Sequence, residues 1–396
     1  MNRRPQLVIA PGKEKALQRH HPWIFSGAVK RIEGDPQEGD LVDVVDTHGQ
    51  WMAMGHYQNE SIICKVLTFD AHEAASPIEE ILRRRIHSAV NYRVLLGFFG
   101  DERTNVFRIV HAEGDFLPGL VADWYNGVLV LQAHSVGMHR LFPMLTALYV
   151  DLLKPLGLRS IFDKSSATVS DDSVDGYIWG DEPLEHEITE HGNRLLINFF
   201  EGQKTGFFID QRENRALVQE LSKGHRVLNC FGYTGGFSLA ALRGGAEYVE
   251  TVDISKKAID LCNRNVALNF GPDAPHKGVP DDVLKYLATL DDRFDFIILD
   301  PPAFAKNHKA LQAGLKGYRS INQRAMQHIP SGGLLMTFSC SQAVSKEDFQ
   351  TMVFTAAMNA HRTVRIVRQL PHAMDHPVSI CHPEGEYLKG LLLQVE

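Results

Sequence analysis

The sequence has few cysteines, no long apolar run and no surplus of positive charge, and each shortage removes a class of protein. Its five cysteines, Cys64, Cys230, Cys262, Cys340 and Cys381, are odd in number and scattered without paired spacing. That pattern suits a reducing compartment and argues against a disulfide framework. Nowhere do about 18 uncharged apolar residues run together, and no basic, apolar and small-residue succession stands near the start, so neither a membrane span nor a secretion signal is expected. A cytoplasmic enzyme is the class that remains. The formal net charge of −7 argues against broad, non-specific nucleic-acid binding. Gly-Lys-Ser/Thr is missing altogether, which removes a P-loop.

Charge is nonetheless unevenly spread. From Met1 to Arg31 the basic residues Arg3, Arg4, Lys13, Lys15, Arg19, Lys30 and Arg31 stand against the single acid Glu14, with His20, His21 and Trp23 interleaved. A basic stretch with an aromatic is compatible with phosphate contact, and equally with a solvated surface.

A chain of 396 residues exceeds a single ordinary core, and its composition changes along its length in three steps. Residues 1–72 read as a small β domain: "LVDVVD", "WMAMGHY" and "IICKVLTF" are short apolar or alternating runs separated by turn-rich segments. Residues 73–190 read as an α+β domain. Its opening helix carries Ile78, Ile81, Leu82, Ile86, Ala89, Val90 and Val94 on one side, and its charges read as ordinary surface. Residues 191–396 alternate strand-like and helical runs, from "RVLNCF" through "YVETVD" and "FDFIILD" to "GGLLMTFSCS". That alternation predicts an α/β fold with a parallel sheet, helices on both faces and ligands at the carboxyl ends of the strands.

The notable motifs fall at those strand ends. In "VLNCFGYTGGFSLAAL" a buried strand leads through Gly232, Gly235 and Gly236 into an amphipathic helix, and the glycines allow a tight turn and close approach to a ligand. The spacing does not match the dinucleotide fingerprint G-x-G-x-x-G. Asp253 ends the second strand about twenty residues after the loop, where an acid can accept from the hydroxyls of a ribose. Asp282 follows the third strand, where an acid and its backbone can receive an adenine amino group. Either acid alone could as well be a turn residue or a helix cap. "ILDPPAF" ends the fourth strand.

This succession is the order seen in S-adenosylmethionine-dependent methyltransferases. With "EGQKTGFFIDQRENR", "YTGGFS", "LDPPAFAK", "FSCS" and "DHPV" followed by "PEGEYLKGLLL", the third segment resembles the large-ribosomal-subunit RNA methyltransferase I family, whose members methylate cytosine C5 in 23S ribosomal RNA. "HPWIFSGAV" is similar to the family's N-terminal RNA-binding PUA domain, so the likeness spans essentially the full chain. The resemblance implies a Rossmann-like class I methyltransferase domain behind a PUA-like β-barrel and an α+β middle domain, with S-adenosyl-L-methionine as cofactor. It implies cofactor contacts from Phe208 and Asp210, from Asn229, Phe231, Gly232, Tyr233, Thr234 and Gly235, from Asp253, Ile254 and Ser255, and from Asp282, Val283 and Asp300. Lys204, Thr205, Pro301, Pro302 and Phe304 are the implied substrate contacts. The implied partner is 23S ribosomal RNA, free or in a subunit particle, and a homodimer is implied by the same likeness. One departure is Asn229, where the family commonly carries Asp; Asn keeps an acceptor and removes the charge.

Cys340 then acquires a chemical reading. Carbon 5 of cytosine is a weak nucleophile, and a thiolate added at C6 turns the ring into an enamine whose C5 can attack a sulfonium methyl group. Cys340 is the expected nucleophile, and Asp300, protonated, is expected to meet charge building at N3. Ala303 stands where another set of RNA cytosine-C5 enzymes carries a second cysteine. Against this stand a methyltransferase for another acceptor, with Cys340 a bystander, and a non-catalytic RNA-binding ribosome-assembly protein. His372, His376, Cys381 and His382 have a metal-like spacing, but Pro371, Pro377 and Pro383 break any helix through them, and no metal is expected.

Overall fold

The short alternating runs near the N-terminus become a β-sheet because each presents every second side chain to one interior. Leu41–Val45, Trp51–Tyr57 and Ile62–Thr68 pair antiparallel in sequence order, and Gln6–Ile9, Trp23–Phe25 and Val29–Glu33 complete six strands. Leu7, Ile9, Val42, Val44, Ala53 and Val66 fill the space they enclose. This computed structural model describes residues 4–169 and 173–396, so Arg3, first of the N-terminal basic residues, lies outside the described residues.

The α+β segment forms a five-stranded sheet from Val106–His111, Leu120–Tyr125, Val128–Ala133, Ser160–Asp163 and Gly176–Gly180, covered by the helices Ile78–Leu95 and Phe142–Leu153. Two expectations need correction here. Val94 is 52% exposed, because the core face of its helix ends at Val90 and Arg93. The charges of this segment are also not all surface. Arg93 is fully buried and grips both oxygens of Asp115 at 2.5 and 2.8 Å, and Arg108 holds buried Asp123 at 2.7 and 2.9 Å. Fork-to-fork pairing keeps these charges tolerable away from water.

The chain folds into two compact units: Met1–Ile188 with Ile197–Ile209 and Met374–Gly385, and Thr189–Leu196 with Asp210–Ala373 and Glu386–Glu396. Both sheets above belong to the first unit, as does the loop from 374 to 385.

The second unit is built on seven strands, named here β1 (Arg226–Cys230), β2 (Tyr248–Asp253), β3 (His276–Pro280), β4 (Phe296–Leu299), β5 (Gly333–Ser339), β6 (Val364–Leu370) and β7 (Lys389–Val395). Their order across the sheet is β3-β2-β1-β4-β5-β7-β6. The first five run parallel, as the alternation predicts, while β7 lies antiparallel between β5 and β6. The sheet is therefore mixed, a feature the alternation alone did not predict. The chain winds outward from β1 to β3 and then returns to the other side of β1, which leaves a crevice at the carboxyl ends of β1 and β4. Among the described residues no helix is long and apolar enough to cross a membrane.

Candidate active site

At that crevice β1 runs into Phe231, Gly232 and Tyr233. Phe231 (φ 60°) and Tyr233 (φ 46°) both hold left-handed backbone conformations, which cost a side-chain-bearing residue energy and persist only where surroundings impose them. The tether is Asp253, at the end of β2. Its Oδ2 accepts from Tyr233 N at 3.0 Å and its Oδ1 from Ser255 N at 2.9 Å. A Cβ on Gly232 would lie 2.3 Å from Thr251 Cγ2, and one on Gly235 2.4 Å from Cys262 Sγ. Both glycines are needed because the loop presses against β2 and the helix behind it. Helix Gly236–Arg243 then starts from Gly235 in a left-handed conformation.

Under this loop runs a polar chain, buried at Asn229, Ser238 and Thr251 and partly exposed at its end, His276. Asn229 Nδ2 donates to Ser238 Oγ at 2.9 Å, Ser238 Oγ lies 2.6 Å from Thr251 Oγ1, and Thr251 Oγ1 lies 2.7 Å from His276 Nε2. Burial pushes His276 down to about 4, so its imidazole is neutral at neutral pH. With no cation in the chain, an aspartate at 229 would be a buried charge without compensation, and asparagine is the residue that fits. Asn229 Oδ1 and Thr234 Oγ1 are buried and have no hydrogen-bond partner. Unsatisfied buried oxygens are rare, and two of them flanking a strained glycine loop fit the polar groups of S-adenosylmethionine.

Ile254, Asp282 and Val283 follow β2 and β3 at the same edge of the sheet. Ile254 is 75% exposed, Val283 is buried, and Asp282 caps helix Val283–Ala288 by accepting from Lys285 N at 3.0 Å. Asp253 and Asp282 thus both serve their own loops, and any ligand contact uses their remaining acceptor capacity. Asp210 accepts from Tyr387 Oη at 2.6 Å. Lys204, Thr205 and Phe208 belong to the first unit. There Lys204 Nζ lies 4.7 Å from the centre of the Phe208 ring, and the buried Thr205 donates to Asp123 Oδ2 at 2.6 Å.

Asp300 follows β4, with its Oδ1 accepting from Gln211 Nε2 at 3.0 Å. Pro301 is buried and Pro302 exposed. Phe304 is half-buried, its ring 4.7 Å from Tyr318 and 6.2 Å from Phe231. Cys340 follows β5, the next strand over, and is partly exposed; its Sγ lies 3.9 Å from Pro301 O. The catalytic candidates Asp300 and Cys340 therefore end neighbouring parallel strands. Cys64, Cys230 and Cys262 are buried, and burial pushes the Cys262 thiol up to about 12 and raises those of Cys64 and Cys230 as well. Such thiols are inert at neutral pH.

Several residues at the site were not singled out from sequence. Gln211, Asn214 and Tyr387 orient Asp300 and Asp210, and Lys389 lies beside Cys340. The only sequence signal for them was their presence inside "DQRENR" and "EYLKG". Among the described residues no group of three or more His, Cys, Asp and Glu side chains is placed to hold a metal ion.

Comparison with known proteins bears on the same regions. A family profile described as S-adenosylmethionine-dependent methyltransferase matches residues 107–377, and a PUA-like domain profile matches residues 7–69. The chain is 39% identical over 403 residues to ribosomal RNA large subunit methyltransferase I of Escherichia coli K12, covering 98% of this chain and 99% of that one. A Streptococcus mutans chain assigned as a SAM-dependent methyltransferase superposes with a TM-score of 0.84 at 19% identity, over 98% of this chain and 99% of that one. Another methyltransferase structure, solved as a complex with SAH, gives 0.85 at 20% identity with the same coverage. At these identities the two structures speak for the fold alone.

Proposed function

Because the chain belongs to the ribosomal RNA large subunit methyltransferase I family of S-adenosylmethionine-dependent methyltransferases, we propose that it methylates C5 of a cytosine in 23S ribosomal RNA through a transient bond between Cys340 Sγ and C6. The cofactor, when bound, supplies a methyl group made electrophilic by its sulfonium. Asn229, Thr234, Asp253 and the backbone from Phe231 to Gly235 would hold it.

The chain's own residues supply the rest. Sγ of Cys340 bonds to C6, the C5–C6 π electrons become an enamine, and C5 gains the nucleophilicity it lacks in the free base. Asp300, held through Oδ1 by Gln211, meets the charge that develops at N3 with a proton. Once C5 carries the methyl group a base takes its proton, the C5–H electron pair re-forms the C5–C6 double bond, the C6–S bond breaks with its pair leaving on sulfur, and N3 returns its proton to Asp300. The base must be unstacked to reach a thiol at a strand end, and the PUA-like segment would hold the surrounding RNA. A homodimer acting in the cytoplasm completes this reading.

The observation that carries the reading is the placement of a partly exposed thiol, Cys340, beside the Asp300-Pro301-Pro302 turn, when three of the other four cysteines are buried. RNA in which the target cytosine carries fluorine at C5 tests it, since fluorine cannot leave as a proton does. The expected result is a denaturation-resistant protein–RNA adduct that requires S-adenosylmethionine and is missing with Cys340→Ala. Methylation of normal RNA by a protein that forms no adduct with the fluorinated RNA would overturn it.

A further inference from the structure

Strand β7 runs antiparallel to β5 in a register that sets Lys389 opposite Ser339, so the first residue of β7 arrives where Cys340 leaves β5. Lysine rarely enters a sheet interior. Here it is 6% exposed, and its Nζ donates to Ser341 O at 2.6 Å and to Tyr387 O at 2.7 Å. Among the described residues no carboxylate lies within ion-pair distance of that nitrogen. The charged and titratable groups that face it are Cys340, Glu386 and Lys346. Glu386 is already paired with Lys346 at 2.5 Å, which leaves Cys340 as the anion-forming group for the buried amine.

We propose that Lys389 takes the proton of the Cys340 thiol and holds the thiolate ready for attack, a role that rests on the covalent reading above. The Sγ–H bond breaks with its electron pair left on sulfur, and the proton forms a third N–H bond on Nζ. The hydrogen-bond count suits both states. A neutral amine has two N–H donors, which the carbonyls of Ser341 and Tyr387 take up while the lone pair stays available; the ammonium has a third, which neither carbonyl takes. Burial pulls Lys389 down to about 8, with Cys340 opposing that shift, so the amine exchanges its proton far more readily near neutral pH than an exposed lysine does. When the adduct collapses, sulfur departs as the thiolate and the ammonium again balances it. Lys389 acts through Cys340 and is a positioning residue of the reaction.

The test is the pH profile of Cys340 alkylation by iodoacetamide in the full-length protein, read by peptide mass spectrometry so that Cys381 does not interfere. Wild-type Cys340 is expected to reach half-maximal reactivity below the ordinary thiol value of about 8.5. Lys389→Met should move that midpoint up by about one unit, roughly a tenfold slower reaction at pH 7, and Lys389→Arg should keep it low. A wild-type midpoint at or above the ordinary value overturns the proposal without any variant, and so does a folded Lys389→Met protein whose profile does not move. Should Lys389→Met not fold, the wild-type profile and Lys389→Arg decide. An adduct on fluorinated RNA with an unmoved profile removes the lysine's role and spares the covalent mechanism. A shifted profile without an adduct overturns the use of the pair in methyl transfer.

Discussion

Gln211 Nε2 donates to Asp300 Oδ1 at 3.0 Å, while Gln211 Oε1 accepts from Asn214 Nδ2 at 2.6 Å, so the start of helix Arg212–Leu221 aims a carboxyl at the end of β4. The second bond fixes which way the amide points. A carboxyl that has to meet N3 of a flipped base depends on such aim, because small misplacements of a reacting group cost rate steeply. Gln211→Ala is expected to lower single-turnover methyl transfer on the order of 10²-fold. Calorimetric affinity for S-adenosylmethionine should stay near wild type, and a matching loss of cofactor binding would speak against the role.

The Arg93–Asp115 pair makes a prediction about stability alone. Removing one partner leaves a buried charge without an opposite, so Asp115→Ala should cost about 3–5 kcal/mol in chemical denaturation. The double variant Arg93→Met/Asp115→Leu should recover a large part of that loss, since apolar groups need no pairing.

Asn229→Asp restores the family's common residue and is expected to destabilise this chain, because its neighbours Ser238 and Thr251 carry no charge. A cost of about 1–3 kcal/mol at pH 7 is expected in thermal unfolding. Burial raises a carboxyl's pKa, so the loss should be present above that pKa and fade as the pH falls through it.

His276 gives the wild-type protein a pH signature. Its pKa is near 4 when folded and 6.5 when unfolded, so below pH 6.5 the unfolded chain binds a proton that the native chain does not. Stability should decline as the pH falls from about 6.5 to 4, by on the order of 2 kcal/mol from this group. His276→Gln should flatten that part of the Tm profile.

Much of the methyltransferase sheet was legible because its signals are local. A glycine loop after "VLNCF", an acid after "YVETV" and a double proline after "FIILD" each announce a strand end within a few residues. What escaped notice depends on partners far along the chain. Arg93 reads as a surface charge until Asp115, 22 residues on, is seen to receive it, and Lys389 reads as an ordinary strand start until β7 inserts beside β5, 48 residues from Ser341. The antiparallel entry of β7 was illegible for the same reason, since apolar runs such as "GLLLQV" carry no direction.

Methyl transfer from labelled S-adenosylmethionine into ribosomal RNA from cells lacking this protein, wild type beside Cys340→Ala, tests the central claim most directly when the product nucleosides are separated. Label in 5-methylcytidine with wild type, and none with Cys340→Ala although that variant still binds cofactor, is the expected result. Label in any other nucleoside, or undiminished 5-methylcytidine without the thiol, would contradict it and return Cys340 to a place in the packing.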